Sequence, residues 1–164
     1  MQWCATWWRT DRGGDAGRGA GAAGLGGVGV SSQSSSVEAN LETVRAAIEA
    51  FNRRDVGAMR ALGGDDFEYD WSRSMGPNQG VYRGPDGFME FAHEQWDMFS
   101  EMHIEPQELI PRGNHVVVPI TVRARGRGDI SVSANSAMLY TFEGGRLVRI
   151  AMYQGRAEAL AAAD

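Results

Sequence analysis

Lysine is absent from this sequence of 164 residues, and all 16 basic residues are arginine. A Schiff-base lysine and the lysine of a phosphate-binding loop are therefore excluded. The single cysteine, Cys4, permits neither a disulfide framework nor a cysteine metal cluster. The three histidines, His93, His103 and His115, show no metal-ligand spacing. These absences predict a protein without a metal and without a cofactor.

Other absences concern partners and location. No apolar run approaches the roughly 20 residues that cross a bilayer, and the N-terminal stretch lacks the continuous apolar segment of a secretory signal. The net charge of −5 argues against nucleic acid, whose phosphates require a basic surface. We therefore expect a cytoplasmic protein with neither a membrane nor a nucleic-acid partner.

The first 36 residues hold nine of the 22 glycines and end in a serine-rich run. This composition buries too little apolar area to offset the entropy lost on ordering, so it predicts a disordered tail over residues 1–36. Residues 24–29 match G-x-G-x-x-G, but that pattern binds dinucleotides only between a strand and a helix, and serines follow it here. One folded domain is predicted for residues 37–164.

Apolar residues at helical spacing begin this domain. Ser35 and Glu38 form a capping-box pattern, and the apolar spacing predicts a helix from there to about Arg54. Asp55 is expected to cap a short second helix. Pro85 suits the first turn of a third helix that runs to about Phe99.

Strand patterns dominate the remainder. Residues 67–71 alternate so that Phe67, Tyr69 and Trp71 share one face, and residues 81–83 form a short strand. Four longer strands are predicted at residues 102–110, 115–125, 130–142 and 146–153, with a terminal helix at 157–162. Short glycine-containing turns make these strands antiparallel, and helices followed by a meander indicate an α+β fold.

Four segments of the chain together resemble the SnoaL-like branch of the nuclear transport factor 2-like superfamily. They are Ala50–Asp55, Asp65–Asp70, Tyr82–Gly87 and Phe142–Arg149. The resemblance implies a cone-shaped α+β barrel, in which three N-terminal helices pack against a strongly curved antiparallel sheet, and a homodimer formed through the sheet. The superfamily includes polyketide cyclases, ketosteroid isomerases and pocketed proteins without a known reaction, so the fold does not fix the function.

The acid–base groups of the relatives are replaced here. By this resemblance, the isomerase tyrosine, base and acid fall on Ala47, Trp71 and Met138, and the cyclase aspartate falls near Met152. Three catalytic candidates remain, namely His93, Tyr140 and Asp70, although Asp70 should point to the opposite strand face unless a bulge turns it inward.

The first hypothesis is a SnoaL-like domain that binds a small, largely apolar molecule and lacks the usual acid–base residues of the family. The predicted ligand-binding residues are Phe51, Tyr69, Trp71, Phe88, Gln95, Trp96, Ser136, Met138, Tyr140 and Met152. The alternatives are a lyase, isomerase or cyclase acting on a polyketide- or steroid-like substrate, and a structural dimerisation module whose cone is filled by its own side chains. Arg123, Arg125 and Arg127 predict an exposed or dimer-facing charged row, with an anion site as the other interpretation.

Overall fold

Four helices and seven strands form the part of the chain that the computed structural model describes, residues 30–76, 78–126 and 130–164. The glycine pattern, Arg127 and most of the predicted tail lie outside these residues. The helices are α1 (Val30–Asn52), α2 (Val56–Arg60), α3 (Gly84–Met98) and α4 (Arg156–Ala163). The strands are β1 (Glu68–Asp70), β2 (Val81–Arg83), β3 (Phe99–Pro106), β4 (Ile110–Arg112), β5 (His115–Gly126), β6 (Ser131–Glu143) and β7 (Arg146–Tyr153). None of these helices is long and apolar enough to cross a membrane.

All seven strands belong to one curved sheet in the order β2-β1-β7-β6-β5-β3, and β4 also pairs with β5. The predicted α+β class is confirmed, since three helices precede the long strands of a mostly antiparallel sheet. Two details differ from the expectation. The sheet is open rather than closed into a barrel, because β2 and β3 end it on opposite sides, and β1 pairs with β7 in parallel.

Helix α1 begins at Val30, seven residues before the predicted domain boundary at Val37. Residues 30–36, predicted as tail, therefore belong to the helix. The Ser36 hydroxyl donates to the Gln33 carbonyl over 2.8 Å, and both residues lie inside the helix rather than at its N-terminus. Serine tolerates a helix when its hydroxyl bonds the preceding turn, and neither glycine nor proline interrupts residues 30–52.

Two polar side chains fix the turn after α1. Asn52 bonds the backbone of Ile104 on β3 twice: its Nδ2 donates to the carbonyl over 2.9 Å, and its Oδ1 accepts from the N–H over 2.8 Å. Asp55 Oδ1 accepts from the N–H of Ala58 over 3.0 Å, which confirms the predicted cap of α2. The two hydrogen bonds between Asn52 and Ile104 attach the end of α1 to the otherwise unpaired edge of β3.

The strand predicted for residues 102–110 is divided in two. Residues 107–109 separate β3 from β4, and the two strands pair with different halves of β5. The predicted strands at 115–125, 130–142 and 146–153 and the terminal helix appear with ends shifted by at most one residue.

The two faces of the sheet bury separate apolar clusters. The inner face, whose centre is Val118, Met138 and Met152, packs against α1 and α3. The outer face packs under α4 through the buried side chains of Val117 and Leu139. Adjacent strand residues alternate between the faces, so each long strand contributes to both clusters.

Candidate functional site

Predicted ligand-binding residues from three neighbouring strands meet on the inner face. Met138 on β6 is the register partner of Met152 on β7, and Trp71 directly follows β1 at the same level. Tyr69 and Tyr140 occupy the next level, one on each side of Ile150, because both are its register partners. The aromatic side chains of residues 67, 69 and 71 are all buried, as the alternation predicts.

Aromatic rings of the helices cover this wall. Phe91 on α3 lies 4.6 Å from the Tyr69 ring and 5.0 Å from the Trp71 ring, measured between centroids. Phe88 lies 4.9 Å from the Tyr69 ring. Phe51 on α1 lies 6.0 Å from the partly buried Trp96, which completes the aromatic side of the site.

Four polar side chains are buried among these apolar groups: Tyr69, Gln95, Ser136 and Tyr140, each with at most 7% of its surface exposed. Within the described residues, no side-chain hydrogen bond joins any of the four to a protein partner. The one fully enclosed side-chain atom without such a bond in that part of the chain is Arg149 Nε, which forms an ion pair with Glu68 Oε1 at 3.1 Å. The polar atoms of the four residues therefore border accessible space, and they provide hydrogen-bonding groups that the protein itself does not use.

Burial makes both tyrosine hydroxyls harder to ionise. It raises the pKa of the Tyr69 hydroxyl well above its usual value, with smaller contributions from the neighbouring Tyr140 and Tyr82. Burial alone raises the pKa of Tyr140. A phenolic hydroxyl is neutral near pH 7 even at its usual pKa, and an isolated phenolate is still more costly in an apolar surrounding. Both hydroxyls are therefore available as hydrogen-bond donors and not as bases.

The other two catalytic candidates lie elsewhere. His93 is exposed on α3, where its ring contacts the Trp96 ring edge-on at 5.5 Å between centroids. Asp70 is buried, but it lies on the outer strand face with Arg149, opposite Tyr69 and Trp71. No bulge turns it inward, since β1 keeps a regular register with β7.

Asp70 belongs to an ionic and hydrogen-bonded group. Its Oδ1 accepts from the Ser72 hydroxyl over 2.6 Å and from the Ser72 N–H over 3.0 Å, and its Oδ2 contacts the Arg149 guanidinium. Burial by itself raises the pKa of Asp70, but the bonds from Ser72 and Arg149 outweigh it and lower the pKa below its usual value. The carboxylate is thus a stable anion that holds β1 to β7, and it is a poor proton acceptor.

Asp70→Asn should lower the free energy of unfolding by about 2 kcal/mol at pH 7, because bonds to a charged acceptor are lost. A depressed pKa in the folded state gives stability that is present above the unfolded pKa of about 3.9 and is lost as pH falls through the folded value. Urea unfolding from pH 7 to pH 2 should therefore show the variant and the wild type converging in acid.

Asp66→Asn is the matched control, since Asp66 pairs with Arg146 over 3.0 Å while 59% of its side chain is exposed. Its effect should stay within about 0.5 kcal/mol across the same pH range. A constant difference between Asp70→Asn and the wild type down to pH 2 would contradict the role assigned to the Asp70 carboxylate.

Sequence reasoning did not locate a groove of about 690 Å³ at the ends of β3, β5 and β6. None of the ten predicted ligand-binding residues is among those that line it. Arg123 and Arg125 do line it, and their side chains are 65% and 56% exposed. The alternating arginines were the only feature of the sequence that indicated this groove.

Solved structures with the same fold include proteins of several descriptions. An NTF2-like protein of unknown function from Burkholderia pseudomallei is 28% identical, with a TM-score of 0.64 over 75% of this chain and 95% of that one. TerC, co-crystallised with polyporic acid, is 22% identical, with a TM-score of 0.65 over 76% and 96%. A putative polyketide cyclase from Xanthomonas campestris is 20% identical, with a TM-score of 0.58 over 79% and 99%.

No curated protein matches the sequence. The family model for the SnoaL-like domain matches residues 44–150, a span that runs from the middle of α1 into β7 and includes the whole inner wall up to Ile150. This match covers well over half of the chain and confirms the resemblance seen in the four sequence segments. The chain therefore belongs to the SnoaL-like domain family.

Proposed function

We propose that the inner face binds a small, largely apolar molecule that carries at least one oxygen able to form hydrogen bonds. The proposal is supported by one observation above all: the buried side chains of Tyr69, Gln95, Ser136 and Tyr140 have no hydrogen-bond partner among the described residues. Leaving a buried polar group unpaired costs about 1–3 kcal/mol. Several such groups on one surface are unusual in a protein core and are typical of a site that receives a ligand.

The surrounding side chains suit an adaptable apolar ligand. Met138 and Met152 lie side by side on the sheet, and methionine adjusts its shape to different partners. Trp71, Phe91 and Tyr69 supply ring faces at contact distance from one another. Pockets for small molecules commonly combine such a wall with a few polar groups that set the orientation.

Binding without catalysis is favoured because no general base faces the site among the residues that the structure describes. Proton transfer needs a titratable group within reach of the reacting atom. His93 is exposed, Asp70 lies on the opposite face, and the hydroxyl of Tyr140 stays protonated. The tyrosines and Gln95 can instead orient a carbonyl or hydroxyl of the ligand.

Tyrosine-to-phenylalanine substitutions test the proposal. Tyr69→Phe and Tyr140→Phe should leave the free energy of unfolding unchanged or raise it by up to about 1 kcal/mol, because each removes an unpaired buried hydroxyl. Naphthol and tetralone should bind the wild type about tenfold more tightly than naphthalene, and the double variant should lose most of this difference. Isothermal titration calorimetry and urea unfolding measure the two effects.

Tyr82→Phe is the control, since the Tyr82 hydroxyl donates to the Asn78 carbonyl over 2.9 Å and lies 3.3 Å from Glu94 Oε2. It should lose about 1 kcal/mol of stability and leave the three affinities unchanged. Equal losses of stability at all three tyrosines would refute the claim of unused hydroxyls. Failure of all three compounds to bind would favour the structural module with a filled interior.

A further inference from the structure

The groove at the ends of β3, β5 and β6 is polar and lies apart from the inner wall. Its volume is about 690 Å³. Three strands and the turn after α1 contribute its lining. The lining residues are Asn52, Arg54, Ser100, Glu101, Met102, His103, Arg123, Ala124, Arg125, Ser131, Val132 and Ser133.

Positive charge exceeds negative charge in this groove. Its lining includes three arginines and one glutamate, although the whole chain carries a net charge of −5. Arginine presents a fixed fork of donors that matches the oxygens of a carboxylate or phosphate. A local cationic surface on an acidic protein therefore points to a small anion.

The strand register arranges the donors in two matching pairs. Arg123 lies opposite Ser133, and Arg125 lies opposite Ser131, across the β5–β6 pair. Two residues along a strand separate the pairs by about 7 Å. Each pair combines a guanidinium with a hydroxyl, so the groove offers two adjacent places for anionic oxygens.

Two of the three arginines in the groove, Arg123 and Arg125, form only exposed ion pairs with the protein. Arg125 Nη1 is 3.9 Å from Glu101 Oε1, and Arg123 Nε is 3.1 Å from Glu105 Oε2, with all four side chains at least 42% exposed. Exposed ion pairs of this kind contribute little, so an anion can displace the glutamates.

Arg54 is held more firmly at the same groove. Its Nη2 donates to the carbonyls of Phe99 and Ser100 over 3.3 and 3.1 Å, and its guanidinium lies 5.5 Å from the centroid of the Trp96 ring. These contacts use part of its five donors and fix the position of its charge.

We propose that this groove binds a small oxyanion, a carboxylate or a phosphate, through Arg123, Arg125 and the two serine hydroxyls, with the charge of Arg54 adding to the attraction. The spacing of the two donor pairs favours a doubly anionic ligand over a singly charged one. The proposal stands on residues separate from the inner wall, so it does not depend on the binding of an apolar molecule.

Calorimetric titration of the full chain with pyrophosphate and with succinate tests the site, against sodium chloride at matched ionic strength. At least one of the two anions should give saturable heat that chloride does not give. Binding of pyrophosphate would identify a phosphate as the ligand, and binding of succinate would identify a carboxylate. Arg123→Gln with Arg125→Gln should weaken this binding at least tenfold, because charge-assisted bonds are lost.

Arg45→Gln with Arg53→Gln is the control, because it also removes two positive charges, from exposed ion pairs on α1 and directly after it, and neither residue lines the groove. It should change the affinity less than about twofold if local contacts rather than net charge determine binding. No saturable binding of either anion, or equal weakening by both double variants, would overturn the proposal. A dimer that the groove variant alone dissociates, seen by light scattering without any anion, would also overturn it and make the groove a protein interface.

Discussion

Gly63→Ala should lower the free energy of unfolding by about 3 kcal/mol, the upper end of the usual effect of overpacking. A methyl group at this position would lie 2.4 Å from Cβ and 2.5 Å from Cγ of Phe67. Phe67 is 1% exposed and packs edge-on against Phe88 at 5.5 Å, so its ring has no free volume to enter. The Phe67 Cβ is attached directly to the backbone, so the turn before β1 must shift to relieve the contact.

A thermal unfolding curve measures this effect as a decrease in melting temperature of about 10 °C. Gly57→Ala is the matched control six residues earlier, where the added methyl group meets Asp55 Oδ1 at an ordinary 3.6 Å. Residue 57 is exposed within α2, so this change should stabilise the protein by about 0.5–1 kcal/mol. The two glycine-to-alanine changes should therefore shift the free energy of unfolding in opposite directions. A decrease of no more than about 0.5 kcal/mol for Gly63→Ala would contradict the packing described around Phe67.

Asn52→Asp should cost about 2–3 kcal/mol at pH 7 while preserving the shape of the side chain. The acceptor bond from the Ile104 N–H survives, but the donor to the Ile104 carbonyl is replaced by a second negatively charged oxygen. Ile104 is 8% exposed, so water replaces the lost bond poorly. The loss should diminish as pH falls, because a protonated carboxyl group can again donate to that carbonyl.

Asn135→Asp separates this effect from a general effect of charge. Asn135 is exposed on β6, and its Oδ1 accepts from the Thr121 hydroxyl over 2.9 Å, a bond that the substitution keeps. Its effect on urea unfolding should stay within about 0.5 kcal/mol at pH 7. Similar losses at residues 52 and 135 would show that the donor bond to Ile104 is not what holds α1 to the sheet.

The fold could be predicted wherever neighbouring residues alone determine the local structure, as at helix caps and in alternating strands. Asp55 caps α2 and Pro85 lies in the first turn of α3, as the sequence indicates. The alternation at residues 67–71 placed three aromatic side chains on one face, and it placed Asp70 on the other. In these cases the local pattern and the tertiary structure agree, which is typical of natural sequences.

Features that depend on distant partners could not be predicted. Nothing near residues 68–70 indicates that β1 pairs in parallel with β7, or that residues 107–109 interrupt one predicted strand. The start of α1 was also misplaced, because a serine-rich run suits a cap, a disordered tail or a helix equally well. The groove escaped prediction for the same reason, since it exists only where three strand ends and Arg54 meet. The ten residues assigned to the inner site stay a prediction until a ligand is found.

The parallel pairing of β1 with β7 has a consequence for synthesis on the ribosome. Tyr69 finds its register partner Ile150 only when the last strand has left the exit tunnel, and contacts so distant in sequence slow folding. Until then the aromatic residues of β1 and α3 lack the strand that joins them to the rest of the sheet, and exposed apolar surface in a nascent chain promotes aggregation. Chains truncated before β7 should therefore associate with chaperones more than chains that include it.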